Sequence, residues 1–291
     1  MRIIGFVLLL TVAVSLPSCR RKDSGGPPLA TPSIALSRDK APLGSPIDVS
    51  YRFDVDPAAS FGEDYTAFVH LIDSGKALVW TDDHALPTPT TQWKPGQRLE
   101  YTRTVFLPAQ ARLGNATLQM GLYSRQSQKR VVLQGEDMGQ RAYKVATLEL
   151  LPESLNLFTS FAEGWHTPEN TRNQQNEWQW TKQQEATLRF KNPRGDCLFY
   201  FDLDNPSNAF PDGQHVQVKL GSHVIDDFRL EPAHRVFRKT SIMAGELGLE
   251  DVVTLQIAVD KTFVPAQLSP PAADKRELGI RVFHAFIEPK R

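Results

Sequence analysis

The chain is 291 residues long, 41% apolar and 23% charged, and its 33 Lys plus Arg are matched by 33 Asp plus Glu. Balanced charge leaves no basic field for a phosphate backbone, so nucleic acid is not an expected partner. With 21 prolines and 18 glycines among frequent Val, Thr, Phe and Tyr, the composition is that of strands and turns rather than a helical bundle.

The first residues, "MRIIGFVLLLTVAVSLPSC", carry one positive charge, an apolar run from Ile3 to Leu16, and small residues before Cys19. A helix needs about 20 residues to span a bilayer, so this run of about 14 reads as a signal peptide over residues 1–18. "LPSC" resembles the bacterial lipobox, although Pro17 is unusual there. The resemblance implies that Cys19 is the acylated first residue of the mature chain and that its acyl chains hold the protein to a membrane. An uncleaved anchor and an ordinary signal peptide stay open as alternatives, because Arg20, Arg21 and Lys22 follow the run where positive charge resists export. Residues 19–31, "CRRKDSGGPPLAT", form a tether that cannot bury itself. Arg20, rather than Asp, after the lipidated cysteine implies the outer membrane in a Gram-negative cell, facing the periplasm or the surface. With Cys19 consumed, Cys197 cannot form an intrachain disulfide and is expected as a small buried residue on one strand face with Phe199, Phe201 and Leu203.

From Pro46 the chain alternates. Ile47, Val49, Tyr51, Phe53 and Val55 share one face and Asp48, Ser50, Arg52 and Asp54 the other, which predicts a half-buried strand. "DYTAFVHLID", "KALVWTDD", "RLEYTRTVFLP", "NATLQMGLYS", "KRVVLQ" and "YKVATLELL" read as further strands separated by turn-forming stretches. Together they predict an antiparallel sandwich over residues 32–151. After "LPESLN" a second series runs through "EWQWT", "EATLRF", "CLFYFDLD", "HVQVKLG", "HVIDDFRL", "RVFRKTSI", "DVVTLQIAVD" and "LGIRVFHAFIE", predicting a jelly-roll-like sandwich over residues 152–291. The one helical candidate is a turn around "AGELGLED". The fold class is therefore all-β, two antiparallel β-sandwiches behind a signal peptide and tether.

Two sets of motifs carry a resemblance. "DYTAFVHLID", "TDDHALPTPTTQWKPGQ" and "ATLQMGLYS" resemble the Ig-like modules attached to bacterial membrane glycosyltransferases and other envelope polysaccharide proteins. "GWHTPE", "EWQWT", "VDKTFVP" and "DKRELGI" are similar to a jelly-roll accessory module of the same proteins. The resemblance implies a non-catalytic role and gives no transferase activity, since the membrane domain that accompanies such modules has no counterpart here.

Catalytic signatures are scarce. Phosphate-loop, zinc-protease, nucleophile-elbow and paired Cys-x-x-Cys motifs do not occur, and "SRDK" at Ser37 lacks the partner motifs of acyl-serine enzymes. Accordingly no catalytic residue, metal or cofactor is expected. His70, Asp82, Asp83 and His84 could meet a metal only if their strands paired side by side. His70 fits better as a core or interface histidine beside Phe68 and Ile72, and "TDDH" as a source of turn-capping oxygens.

The candidate ligand site is "GWHTPENTRNQQNEWQWT". A strand places Trp178 and Trp180 on one face, where two indoles serve either a core or a surface for sugar rings. Trp165, His166, Glu169 and the amide-rich loop combine an aromatic ring, a carboxylate and amides in a way that suits hydroxyl recognition. Asp274, Arg276 and Glu277 read as closing a loop before the last strand. These features point to a non-catalytic envelope lipoprotein that binds or scaffolds surface polysaccharide. The alternatives are an assembly protein that binds protein partners and, more remotely, a glycoside hydrolase using Glu163, Glu169 or Glu177.

Overall fold

The computed structural model describes residues 25–171, 177–206, 208–268 and 273–290. Cys19, the segment read as a signal peptide and the first part of the tether lie outside the described residues. Within these residues the chain is all-β, two antiparallel sandwiches in series with one short helix, α1 (Pro265–Leu268). No helix among them is long and apolar enough to cross a membrane.

The N-terminal sandwich contains β1 (Ala30–Leu36), β2 (Lys40–Pro42), β3 (Pro46–Val55), β4 (Thr66–Ile72), β5 (Leu78–Thr81), β6 (His84–Ala85), β7 (Arg98–Phe106), β8 (Gly114–Tyr123) and β9 (Tyr143–Leu151). One sheet runs β1-β3-β7 and the other β2-β9-β8-β4-β5, with β6 beside β4. The arrangement is Ig-like; its short β2–β9 pair is parallel. The alternation in β3 works as written in the sequence. Ile47, Val49, Tyr51, Phe53 and Val55 are buried against Val69, Leu71, Leu118, Met120, Leu148 and Leu150 of the facing sheet.

Three readings need correction here. "KRVVLQ" is not a strand: Arg130 makes an isolated bridge to Tyr123, and Val131 and Leu133 still reach the core. Its backbone bonds instead catch the chain around β1, Leu29 N–H donating to Val132 O and Gln134 N–H to Ala30 O. His70 does not face the core, because Ala67, Val69 and Leu71 are the inward row of β4; it sits on the outer face, largely covered, beside Phe68 and 3.9 Å from Asp83. "TDDH" does more than cap a turn. Asp82 is buried, accepting from Tyr51 Oη at 2.7 Å and from Arg103 Nε and Nη2 at 3.0 and 2.9 Å. His84 Nδ1 lies 2.7 Å from Asp82 O, and its Nε2 lies 2.7 Å from Tyr101 Oη. Among the described residues no group of three or more His, Cys, Asp or Glu is placed to hold a metal.

The C-terminal sandwich contains β10 (Thr159–Phe161), β11 (Glu169–Asn170), β12 (Glu177–Trp180), β13 (Glu185–Lys191), β14 (Cys197–Asp204), β15 (Gln214–Leu220), β16 (His223–Leu230), β17 (Val236–Ile242), β18 (Val252–Val259) and β19 (Arg281–Pro289). Its sheets run β10-β13-β18-β15-β16 and β11-β12-β19-β14-β17, a jelly-roll-like pair. "AGELGLED" makes only a 3-10 turn, Ala244–Glu246. On β14, Cys197, Phe199, Phe201 and Leu203 point into the core, and burial pushes the Cys197 thiol up to about 11, which removes it from thiolate chemistry at neutral pH.

Phe106, at the end of β7, joins the two sandwiches. It stacks on His284 with ring centroids 4.0 Å apart and planes 6° apart, and meets Tyr200, Phe237 and Phe286 edge-on. Polar contacts surround this ring: Arg38 with Glu288 at 2.5 Å, Lys239 with Asp48 at 3.1 Å, and Asn156 Nδ2 donating to Leu43 O at 2.7 Å.

Phe106→Ala removes the shared ring and should cost roughly 1–3 kcal/mol in urea unfolding, less than for a fully buried Phe, while exposing residues 152–158 to limited proteolysis. Unchanged stability and cleavage would show that the joint is passive. Asp82 gives a pH prediction. Burial favours its neutral form, but hydrogen bonds from His84, Arg103 and Tyr51 outweigh this and hold its carboxyl well below the usual carboxylate range. A depressed folded pKa stabilises fully above the unfolded value of about 4 and is lost as the pH falls through and below it. Asp82→Asn should therefore lower stability at neutral pH and flatten its decline in acid, as read by urea midpoints across that range.

Candidate functional site

The segment before β12 is fixed by Gly164. Its φ of +81° suits glycine, and a Cβ there would run into the Glu185 carbonyl and Ala186. Just beyond it Trp165 turns inward. The indole is buried, meets Phe161 edge-on at 4.7 Å, and donates through Nε1 to Thr187 O at 2.8 Å. Trp165, expected at the ligand face, is a core residue, because the bridge from Trp165 to Thr181 sets this segment in register with β12. His166 donates its backbone N–H to Trp180 O, and its Nε2 lies 2.8 Å from Glu277 O, so it ties loops together.

Glu169, Trp178 and Trp180 do converge. They line a pocket of about 310 Å³ together with Phe263, Asp274, Arg276 and Arg281. The two tryptophans share a face of β12 as their spacing requires, but that face is the outer one, away from the sandwich core. Trp180 is buried beneath the pocket against Phe263, centroids 5.9 Å apart, whereas Trp178 is half-buried at the wall. Of the amide-rich loop, residues 170–176, residues 172–176 lie outside the described residues.

The polar groups are tied to one another. Arg276 donates through Nη1 to Glu169 Oε1 at 2.6 Å and through Nε and Nη2 to Asp274 at 3.0 and 2.7 Å. Glu169 Oε2 also accepts from Trp178 Nε1 at 3.3 Å. Arg276 holds the Asp274 carboxyl below its ordinary value, and the two carboxylates together raise the Arg276 guanidinium. Opposite them, Arg281 grips buried Asp204 with two parallel bonds of 2.7 Å and lies 5.1 Å from the Trp178 ring centre. The same guanidinium lies 4.9 Å from Phe283, whose ring is also covered by Arg235 at 3.7 Å.

Sequence reasoning missed Arg281, and Asp274 and Arg276, read as closing a loop, do so and also wall the pocket. Only the alternation Arg281, Val282, Phe283 hinted that Arg281 faces outward, and nothing local linked it to the tryptophans. The link is the pairing of Trp180 with Arg281 across β12 and β19. Gly279 makes that approach possible, since a Cβ there would collide with Thr181 Oγ1.

No family model matches the chain, and no curated protein matches it. Among solved structures, the CBM36-1 domain of a multidomain xylanase from the hindgut metagenome of Trinervitermes trinervoides is 9% identical, with a TM-score of 0.29, over 47% of this chain and 99% of that one. The CBM22-1-CBM22-2 tandem domain of Xyn10C from Paenibacillus barcinonensis is 10% identical, with a TM-score of 0.27, over 85% of this chain and 80% of that one. A sporulation control protein from Bacillus subtilis is 10% identical, with a TM-score of 0.30, over 56% of this chain and 79% of that one. Likenesses of this size carry no argument about ligand or activity.

The bridge made by Arg276 is open to test. In Arg276→Met, Asp274 loses the guanidinium but keeps the backbone N–H of residue 276, so its carboxyl should rise back towards its ordinary value. Side-chain carboxyl NMR reads this directly, and an unmoved Asp274 would dissolve the network.

Proposed function

We propose that the protein is a non-catalytic carbohydrate-binding component of the cell envelope. One observation carries this: an open, partly aromatic pocket over Trp178, Trp180 and Phe263 whose charged groups are paired among themselves. Such a lining offers ring C–H groups an apolar surface and hydroxyls a set of fixed donors and acceptors, which are the two demands of sugar recognition. The envelope part of the reading rests on the lipobox-like "LPSC" with the tether behind Cys19, and on the resemblance to accessory modules of envelope polysaccharide proteins.

Binding is favoured over hydrolysis by the state of the carboxylates. A glycosidase acid must keep its proton near neutral pH, which requires a raised pKa. Asp274 is moved the other way, and Glu169 is held by Arg276 and the Trp178 indole.

Affinity electrophoresis or calorimetry against a panel of polysaccharides tests the reading. Trp178→Ala should weaken the bound polymer about tenfold or more, equivalent to about 1.4 kcal/mol, with the melting temperature little changed. If no polysaccharide binds, or if Trp178→Ala binds as well as the parent, the pocket has another purpose.

A further inference from the structure

The pocket's charge and its unused hydrogen-bonding groups narrow the class of sugar, an inference that rests on the carbohydrate-binding reading. Its charged groups are the carboxylates Glu169 and Asp274 and the guanidiniums Arg276 and Arg281, with buried Asp204 directly behind Arg281. Among the described residues, three negative charges against two positive leave an excess of one negative charge. A uronate or sulfate would meet that excess. The charge of its natural partner, Arg281, is already balanced by Asp204 through Nε and Nη2, a carboxylate that burial prevents from turning back to water.

Two groups remain unspent. Among the described residues Arg281 Nη1 has no hydrogen-bond partner, its Nε and Nη2 being the atoms on Asp204. Glu169 accepts one bond at each oxygen, from Arg276 Nη1 and Trp178 Nε1, whereas a carboxylate has about four lone-pair sites. Both groups flank one indole: the carboxylate meets the Nε1 edge of Trp178, and the guanidinium carbon lies 5.1 Å from its ring centre. Asp274, by contrast, is filled by Arg276 Nε, Nη2 and backbone N–H.

We propose that the pocket is a subsite for an uncharged sugar ring with two adjacent free hydroxyls, one donating to Glu169 and its neighbour accepting from Arg281 Nη1. The hydroxyl pair matches the acceptor and donor in kind, and the ring carbons lie against Trp178 and the surface above Trp180 and Phe263. Arg276 is a positioning residue that holds Glu169 in place.

The test is affinity electrophoresis of the protein through gels containing neutral polymers (β-1,4-glucan, β-1,3-glucan, mannan and galactan) or polyuronates (polygalacturonate and alginate). Each retaining polymer is also run after periodate oxidation, which cleaves only adjacent diols. A neutral polymer should retard the chain, periodate should abolish the retardation, and raising the salt about tenfold should change it less than twofold, because no ion pair is formed with the ligand. β-1,3-glucan, whose internal residues have no adjacent free hydroxyls, should not retard it. Glu169→Gln, nearly identical in shape, should weaken binding about tenfold, and Arg281→Lys, which loses Nη1, by at least as much; circular dichroism establishes that both variants are folded. Retention only by polyuronates, retention that survives periodate, or full affinity in folded Glu169→Gln would each overturn the inference while leaving carbohydrate binding intact. Retention by no polymer would remove both.

Discussion

The outward row of β14, Tyr200, Asp202 and Asp204, governs the C-terminal sandwich. These polar groups sit on a strand whose other face is all core, and all three are buried. A buried carboxylate without partners is expensive, so the neighbouring strands must supply donors at fixed places. Tyr200 Oη donates to Glu288 at 2.6 Å, Arg235 and His284 serve Asp202, and Arg281 serves Asp204. Burial alone would raise the Asp202 carboxyl, and the bonds from Arg235 and His284 reverse that shift. At one end this row builds a wall of the pocket; at the other it builds the joint with the first sandwich.

This dependence explains why the outer surface of the sheet is a packed layer rather than a scatter of solvated side chains. Once Asp204 has fixed Arg281 and Asp202 has fixed Arg235, the guanidiniums have nowhere to lie except across aromatic rings. Phe283 ends up covered from Arg281 and from Arg235, whereas Trp178 is met by Arg281 alone and stays half-buried at the pocket wall. Arginine suits this role because a planar, weakly hydrated fork can bond a carboxylate along its edge while lying flat on a ring. Phe283, covered from two sides, does not line the pocket despite its place on the outer face.

Much of this was legible in the sequence wherever a rule is local. Period-2 alternation located β3, β14, β15 and β18, put Cys197 among the inward phenylalanines, and placed Trp178 and Trp180 on one face. It failed where contacts link distant segments. Trp165 goes inward because Gly164 turns the chain, although its neighbours read as a polar loop. "KRVVLQ" has the composition of a strand, yet it closes against the start of β1 without forming a ladder. Asp82 is held by groups 31 and 21 residues away, and Glu169 by one 107 residues away. No window on the sequence sees such pairs. The alternation of β19 is interrupted too, because the bulge opposite Asp202 and Leu203 puts both Phe283 and His284 outside. A strict two-residue period would have assigned one of them to the core.

That bulge bears on how the two sandwiches relate. By turning His284 outward beside Phe283, it places an imidazole between Asp202, 2.9 Å from its Nδ1, and the flat face of Phe106 from the other sandwich. Arg235, the second partner of Asp202, is the guanidinium that covers Phe283. A continuous set of contacts therefore runs from Phe106 through His284, Asp202 and Arg235 to Phe283 and Arg281, and so to the indole at the pocket. Along β19 the same distance is three residues, about 10 Å at strand spacing. The stack on Phe106 and the bonds that fix the pocket wall therefore share one short stretch of β19, so the joint and the pocket are built from the same strand.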